Sequence, residues 1–538
     1  AAILMFSLLL TNILGLLTLR LLSNFFGSSS QLGVFLAADR LPSFIFNLFV
    51  IGALSSSFIP IFAAHLSKEG KAEAFKFSST IINVTFVIFG FFSVILFIFS
   101  PQLSYLLSLG SLDTANLSLM SDLTRILIFS QLLLSLSIFV TSILQALDHF
   151  LVPSLSPIFY NIGSIAGIVF LSPILGIYAP AWGAVVGSAL HLLIQIPFLK
   201  SLGYKYAANF NFRDKSVIEV SRLVIPRTFG LAVDQINLLV DTALSLSLSA
   251  TSVVVLSFAQ RLQYIPVILF GSTISQAVLP TLSRLSSDGE RSRDDFKNVL
   301  TKALHQMLYL ILPVSIILLV LRLPLVRLIF GTKRFDWYAT NMTGYTLAFY
   351  SLGIFSQSVS TLLARAFYAF KDTRTPFKTG ALSVIINIIL SILFVKILGF
   401  NVWSLALSSS VSSFFNALLL FVFLQKRVGG FNLYHLLDPI IKMAFSGLVM
   451  GVFIYLPLKL LDRGGWGGLF PYSLGTLLLD TRYTVNLLIL TVLSTILGLI
   501  FYLLLTSLLK VSEGRRIIFM ILKIRNFGRN FFPSIFQE

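Results

Sequence analysis

Six arginines lie within, or at the mouths of, long apolar segments of this 538-residue chain. They are Arg20, Arg40, Arg125, Arg227, Arg261 and Arg365. A guanidinium at bilayer depth costs at least about 2.5 kcal/mol, so each such position needs a physical reason. The group keeps its proton, and its planar fork of donors matches the oxygens of a phosphate. The chemistry that these residues indicate is the binding of a phosphate or a diphosphate.

Acidic residues accompany one of these arginines at a regular spacing. Arg227, Asp234 and Asp241 recur every seven positions, which places them on one face of a helix, with Asn237 near that face. A polar stripe of this kind facing lipid would be very costly, so we expect it to face a watery cavity. There the acids would neutralise excess arginine or bind a coupling Na⁺ or proton. An internal salt-bridge ladder with Arg227 explains the same spacing.

Other kinds of chemistry find little support in the sequence. Cysteine is absent, which excludes disulfides and thiolate metal sites. The five histidines are scattered without ligand spacing, so we expect no metal site. No GxxxxGK[ST] phosphate loop occurs, which argues against an ATP-driven pump, and no soluble stretch is long enough for a catalytic domain. We therefore expect neither an enzyme nor a cofactor.

The elements that must position the arginines are transmembrane helices. The chain is 56% hydrophobic and 11% charged, whereas a soluble domain is usually about 25% charged. We predict an all-α polytopic membrane protein with about fourteen spans, the first of them a transmembrane helix rather than a cleaved signal. The predicted spans are 3–26, 32–64, 79–99, 122–147, 154–172, 178–199, 223–248, 252–283, 303–320, 339–370, 377–395, 403–424, 441–458 and 485–509. We expect bends at Pro42, Pro60, Pro266 and Pro280.

The net charge of +18 follows the topology of the chain. Most lysines and arginines outside the spans lie in the loops after even-numbered spans and in the C-terminal tail. By the positive-inside rule, this distribution predicts that both termini are cytoplasmic. The positive charge is thereby accounted for, and we expect no nucleic-acid partner.

Short motifs recur in the two halves at offsets of 220 to 223 positions. The matches are ADRL (38–41) with AQRL (259–262), Pro60 with Pro280, Pro153 with Pro376 and Trp182 with Trp403. Because six spans per half is an even number, the duplicated halves share one orientation and form a parallel repeat. We predict an N-lobe over 1–215, a C-lobe over 216–435, and two further helices with a basic cytoplasmic tail over 436–538.

The repeat places Arg40 and Arg261 at matching positions of the two halves. In transporters built from two bundles the substrate site commonly lies between them, so we expect both guanidiniums to line one cavity and bind a diphosphate. The alternative is that each arginine pairs locally, for example Arg40 with Asp39, or extends to the membrane interface. For Arg125 and Arg365, which lie near span ends, we favour extension to the membrane interface or packing.

Several stretches resemble the MurJ (MviN) family of lipid II flippases, within the multidrug/oligosaccharidyl-lipid/polysaccharide exporter superfamily. They are LGLLTLRLLSNFFG (14–27), RLPSFIFNLFVIGALSSSFIPIF (40–62), the long segment 233–283 that contains SFAQRLQYIPVILF, and ARAFYAFKDTRTPFK (364–378). The resemblance implies a twelve-helix core of two lobes and two C-terminal helices that form a groove for a lipid tail. It also implies alternating-access transport of undecaprenyl-diphosphate-linked peptidoglycan precursor from the inner to the outer leaflet of the bacterial cytoplasmic membrane.

The resemblance also implies roles for individual residues. Arg261 falls on an arginine of the family's central cavity, and Asp241 with Asn387 resembles a sodium site, although Ser391 stands where a further acid is expected. The residues that we expect to bind the substrate are Arg20, Asp39, Arg40, Arg227 and Arg261. Those that we expect to balance charge or to bind a coupling ion are Asp234, Asp241 and Asn387.

The chain departs from the family pattern at several basic positions. Asn12 and Thr18 stand where members usually carry arginines, and Phe46 and Asn47 stand where arginine is typical. Gly33-Val34-Phe35 replaces a usual Asp-Ala-Phe, and Pro42-Ser43 a usual Pro-Asn. We hypothesise that Arg20 and Arg40 partly restore the lost charge.

Three other functions remain open on the sequence. A flippase for another polyprenyl-linked oligosaccharide uses the same chemistry, and a non-transporting scaffold of cell-wall synthesis fits the missing arginines. A cation-coupled drug exporter fits less well, because cationic drugs favour acids over arginines in the cavity. Whichever holds, we expect a monomeric core in contact with membrane lipids, with cell-wall synthesis proteins as candidate partners.

Overall fold

The structure is a computed structural model that describes residues 2–51, 58–210, 215–287, 293–461, 480–481 and 483–514. Across these residues the chain forms α-helices and π-helical turns and contains no strand, which confirms the predicted all-α class. Wholly helical structure follows from composition, because in hydrocarbon every backbone amide must find its partner within its own segment.

Twenty-two α-helices are present in the described residues. The first eleven are α1 (Ala2–Phe26), α2 (Ser30–Ala38), α3 (Arg40–Phe46), α4 (Ile59–Lys68), α5 (Lys71–Ile98), α6 (Ser100–Leu107), α7 (Thr114–Ala146), α8 (Leu151–Ala166), α9 (Ser172–Leu175), α10 (Tyr178–Leu193) and α11 (Ile196–Ser201). The others are α12 (Lys215–Leu248), α13 (Ala250–Pro266), α14 (Thr273–Ser287), α15 (Arg293–Val320), α16 (Arg322–Phe330), α17 (Trp337–Ser351), α18 (Ile354–Ala369), α19 (Arg374–Ile392), α20 (Trp403–Val428), α21 (Leu433–Leu461) and α22 (Thr484–Leu508).

The predicted number of fourteen spans is not confirmed. Of the described helices, twelve are long and apolar enough to cross a membrane, or thirteen if α17 and α18, bent by 41°, count as one span. The predicted seventh span, 223–248, corresponds to the 34-residue helix α12, which is not among the twelve. At 1.5 Å per residue α12 is about 50 Å long. Its length suits a span, and its charged residues set it apart from the other long helices.

Large apolar side chains are exposed along many of these helices. Phe6, Ile174 and Leu508 expose 67%, 79% and 76% of their surface. Soluble monomers rarely expose contiguous apolar area on this scale, whereas lipid-facing helices do. The exposure pattern therefore agrees with a multi-pass membrane protein.

Within the described residues, π-helical turns interrupt the long helices at Asn47–Ile51, Gly167–Leu171, Val267–Ser272 and Leu393–Ile397. They fall in predicted spans two, five, eight and eleven, which are equivalent positions of the two halves. The third turn directly follows Pro266, whose missing amide leaves a backbone carbonyl unpaired in the preceding turn. The recurrence supports the predicted duplication.

The chain packs into two compact units. Unit 1 comprises Ala1–Phe258, Ile329–Thr340 and Ile388–Val402, and unit 2 comprises Ala259–Leu328, Asn341–Asn387 and Trp403–Glu538. The units group residues by contact and not by repeat, so the predicted lobes over 1–215 and 216–435, with the region 436–538, stay a prediction.

Glycines allow close helix packing inside unit 1. Gly163 and Gly167 follow a small-xxx-small spacing, as do Gly183 and Gly187 on α10. A Cβ atom at Gly167 would lie 2.2 Å from the Cα of Gly183, and one at Gly163 would lie 2.5 Å from the Cα of Gly187. The two backbones touch directly, as in membrane helix pairs that associate through dispersion contacts.

In unit 2 the last helix is fastened to α15. The Tyr502 hydroxyl donates to the carbonyl oxygen of Tyr309 at 3.0 Å, and the Tyr309 hydroxyl lies 3.1 Å from the Thr506 hydroxyl. Tyr309 and Tyr502 are both nearly fully buried. The C-terminal helix α22 is therefore an integral part of the core of unit 2.

Candidate substrate site

Arg40 begins α3, directly after the break at Asp39 that separates α3 from α2. It is half-buried, and its Nη2 atom donates to the Ser257 hydroxyl at 3.4 Å. Its Nε atom is buried and has no hydrogen-bond partner in the described part of the chain. A buried donor without a partner costs about 1–3 kcal/mol, so this guanidinium is under-satisfied as it stands. It has donor capacity left for an anion.

Asp39 is held by polar partners other than Arg40. Its Oδ2 atom accepts from the Ser43 hydroxyl at 3.1 Å, and Gln131 on α7 donates to that hydroxyl at 3.2 Å. Among the described residues Arg40 forms no ion pair within 4.0 Å, although its charge acts on both Asp39 and Asp241. From the sequence we considered a local pair of Arg40 with Asp39. In the structure the two charges interact at longer range and form no direct salt bridge.

The acids of α12 differ in their surroundings. Asp241 is buried, with 4% of its surface exposed, and its Oδ1 atom accepts from the Ser391 hydroxyl at 3.5 Å. Asp234 is exposed, and the amide oxygen of Asn237 is buried without a hydrogen-bond partner in the region that the structure describes. Arg227 lies in the same helix, and its side chain is outside the described residues. Asp241 alone has the buried, hydroxyl-lined position that suits a cation.

Arg20 has a structural contact in unit 1. Its Nη1 atom donates to the carbonyl oxygen of Ile329 at 2.9 Å, and the Ser23 hydroxyl donates to the carbonyl oxygen of Phe330 at 2.5 Å. These are the last carbonyl groups of α16, which have no intrahelical partner. Arg20 thus caps a helix C-terminus, a common position for arginine.

Arg261 lies on α13 and is exposed, between partly and fully buried neighbours. Over the residues that the structure describes it forms no hydrogen bond and no ion pair. Gln263, two positions on, is buried and donates to the Gln357 side chain at 3.0 Å, which fixes this turn of α13 against α18. The sequence alone did not identify this glutamine pair, because its members are 94 positions apart.

The remaining candidates, Asn387, Arg125 and Arg365, each have a partner close by. Asn387 on α19 is buried and donates to the Ser412 hydroxyl at 3.3 Å. Arg125 lies 3.4 Å from Asp122 and stacks over Phe97, and Arg365 lies over the ring of Tyr368. Arg125 and Arg365 therefore have local partners. Within the described ranges no group of three or more metal-ligating side chains occurs.

Comparison with known proteins identifies the family. The chain is 29% identical over 469 residues to a probable lipid II flippase MurJ of Haemophilus influenzae, covering 84% of this chain and 91% of that protein. It is 28% identical to the lipid II flippase MurJ of Burkholderia cenocepacia, covering 78% and 82%.

Solved structures agree. A lipid II flippase MurJ in an inward closed conformation has a TM-score of 0.76 and 27% identity, covering 94% of this chain and 98% of that one. An inward-facing multidrug resistance MATE family transporter shares the fold alone, with a TM-score of 0.63 at 11% identity, covering 78% and 94%. The family profile described as "Lipid II flippase MurJ" matches residues 22–475. With most of its length matched by that profile, the chain belongs to the MurJ family.

Proposed function

We propose that this chain is a flippase that moves lipid II, the undecaprenyl-diphosphate-linked peptidoglycan precursor, from the inner to the outer leaflet of the bacterial cytoplasmic membrane. Membership of the family and the likeness to proteins named lipid II flippase support this function. A diphosphate and a sugar cannot cross hydrocarbon unaided, because desolvating such charges is too costly. The protein supplies donors for the head group, while the lipid tail stays in the membrane.

The observation that carries the proposal is the state of Arg261. An exposed guanidinium without a protein partner is costly on a helix at membrane depth unless it meets water or an anion. The same pressure acts on Arg40, whose buried Nε atom has no partner in the described part of the chain. We propose that both guanidiniums donate to the diphosphate of the substrate, since arginine forks bind phosphate oxygens in pairs.

The proposal extends to the orientation of the chain in the membrane and to the ion that drives transport. The distribution of basic residues supports cytoplasmic termini. Asp241, buried beside the Ser391 hydroxyl, supports binding of a coupling Na⁺ or proton, with Asp234 and Asn387 as further candidates. Asp39 and Arg227 are further candidates from the expected set, with Asp39 balancing the charge of Arg40. The protein works as a transporter and not as an enzyme, and we expect a monomeric core.

Replacing Arg261 by glutamine tests the head-group contact. We expect transport of labelled lipid II into the outer leaflet of reconstituted vesicles to fall about 10- to 100-fold, because charge-assisted hydrogen bonds contribute about 1.5–3 kcal/mol. Arg365→Gln, which removes an arginine that already stacks on Tyr368, is the matched control and should retain transport. In a flippase-depleted strain we expect the same difference, with Arg365→Gln restoring growth and Arg261→Gln restoring it poorly.

Three outcomes would count against the proposal. Full transport by Arg261→Glu would remove Arg261 from the head-group site. Movement of a different polyprenyl-linked glycan in preference to lipid II would assign another substrate within the superfamily. Wild-type protein that complements the strain without moving any lipid in vesicles would favour the scaffold.

A further inference from the structure

A cavity of about 580 Å³ lies within unit 2, at the ends of α18, α19 and α20. Its polar lining is basic and hydroxylic, and its other walls are apolar. The residues are Phe367, Thr375, Lys378, Thr379, Leu382, Leu419, Phe423, Lys426 and Arg427. Three cations line it without a single acidic lining residue, so the cavity favours an anion that carries apolar groups.

Arg427 is fixed at the edge of this cavity. Its Nη1 atom donates to the Oδ2 atom of Asp372 at 2.8 Å, and its guanidinium lies 5.0 Å from the centroid of the Phe370 ring. Asp372 also accepts from the Thr375 hydroxyl and from the backbone amides of Arg374 and Thr375 at the start of α19. Although burial raises the pKa of Asp372, these hydrogen bonds and the charge of Arg427 outweigh it, so the pKa lies below its usual value. Asp372 is therefore a charged anchor that orients Arg427.

The two lysines of the cavity, unlike Arg427, are not held by a carboxylate among the described residues. Lys378 and Lys426 are exposed and form no ion pair within 4.0 Å in the described residues. Lys378 follows the first turn of α19 and Lys426 lies in the last turn of α20. A lysine ammonium offers three donors on a flexible stem, which suits a phosphate in this position. Among the described residues, no acidic side chain pairs with either lysine.

Apolar side chains continue from the cavity along both helices. On α19 Leu382, Ile385 and Ile389 are exposed, and their spacing places them on one face. On α20 Phe415 and Val422 are exposed in the same manner. Exposed apolar stripes beside a basic cavity match a molecule with an anionic head and hydrocarbon chains, rather than a free anion.

We propose that this cavity binds the phosphate head group of an anionic membrane phospholipid, whose acyl chains lie along α19 and α20. Basic cavities between membrane helices hold such head groups on the cytoplasmic side. The cavity residues lie in and beside loops that the positive-inside rule assigns to that side. This lipid is distinct from the transported substrate, and the inference holds whichever glycan the protein moves.

Native mass spectrometry of the full-length protein in detergent tests the site with phosphatidylglycerol as the probe. We expect phosphatidylglycerol to stay bound to the wild-type chain and phosphatidylcholine to dissociate from it. Retention should weaken roughly 20- to 30-fold in K378Q/K426Q, since each lysine near an anionic lipid contributes about fivefold in affinity. K371Q/R374Q removes the same charge from the same membrane face without touching the cavity and should retain the lipid. K378R/K426R should restore it.

The result would be overturned in three ways. Equal retention by K378Q/K426Q and wild type would remove the lysines from the site. An equal loss in K371Q/R374Q would reduce the effect to general electrostatic attraction. Displacement of the lipid by inorganic phosphate at the same concentration would mean that the cavity binds a free anion.

Discussion

At the scale of single residues, the surroundings of each arginine separate structural from functional roles. Arg20 and Arg125 donate to backbone carbonyl groups, and Arg427 pairs with a carboxylate. Arg261, in contrast, has no protein partner among the described residues, and Arg40 has one long contact and a buried unpaired donor. Since an unsatisfied guanidinium is costly, selection retains it only where something else supplies its acceptor. That reasoning is why we propose Arg40 and Arg261, rather than the other arginines, as substrate-binding residues.

Arg20 should behave as a stabilising residue. Replacing it by glutamine leaves the Ile329 carbonyl without its donor, so we expect the free energy of unfolding to fall by about 1–3 kcal/mol. Thermal unfolding in detergent micelles measures this loss, and lipid II transport per folded molecule should stay near the wild-type level. An unchanged melting temperature together with lost transport would instead support the hypothesis that Arg20 replaces a missing family arginine.

Polar partners were predictable from the sequence only over short distances. Ser43 stands four positions after Asp39, a helical spacing that suggests their hydrogen bond. Gln131, which donates to Ser43, comes from a helix nearly ninety positions away, and no sequence pattern indicates it. Ser391 was noticed from the family resemblance as a replaced acid, and the structure places its hydroxyl on Asp241.

At the scale of helices, the contact between α8 and α10 depends on glycine. A methyl group at Gly187 would lie 2.4 Å from the carbonyl oxygen of Tyr160, a backbone atom that cannot move without the helix. We expect Gly187→Ala to lower the free energy of unfolding by about 1–3 kcal/mol, as for other overpacked contacts.

The matched control for Gly187 is Gly90→Ala on α5. No atom lies within 4 Å of a Cβ built at Gly90, so alanine there should be neutral or stabilising by up to about 1 kcal/mol. Thermal unfolding of both variants in the same detergent makes the comparison. If Gly187→Ala and Gly90→Ala had the same melting temperature, close backbone packing would not be what holds α8 to α10.

Helix positions were largely predictable, and helix interruptions only in part. Long apolar runs fixed the spans, because hydrocarbon thickness sets their length. The turn at Val267–Ser272 follows Pro266, one of the prolines at which we predict a bend, whereas the turn at Leu393–Ile397 contains no proline and has no sequence signal of its own. The predicted count of fourteen spans is not confirmed, and α12 is where it differs, because its charged residues make a long helix resemble a membrane span only weakly.

At the scale of the whole molecule, transport needs a source of energy, and Asp241 is the candidate for coupling it. Asp241 is a buried carboxylate that senses the charge of Arg40 and accepts from Ser391. A cation bound there would offset the cost of burying the carboxylate, and its release would return that cost. For this reason we propose Asp241 as the residue that would bind a coupling ion.

The corresponding measurement compares lipid II transport with and without an imposed Na⁺ or proton gradient. We expect wild-type transport to rise with one of the gradients, and Asp241→Asn to lose that response, since asparagine keeps the shape without the charge. Asp122→Asn removes an acid that pairs at the surface with Arg125 and should respond like wild type. A full gradient response in Asp241→Asn would separate coupling from this residue.

The π-helical turns at Asn47–Ile51 and Val267–Ser272 occupy equivalent positions of the two halves, 220 residues apart. Each such turn holds one residue more than an α-helical turn, and one residue corresponds to about 100° of rotation around the helix axis. Deleting a single residue there would rotate the rest of the helix about its axis. Side chains that face lipid and side chains that face protein would then exchange places until the next loop. An insertion at matching positions of both halves agrees with the predicted duplication, and its loss from either half would misplace the helix segment that follows.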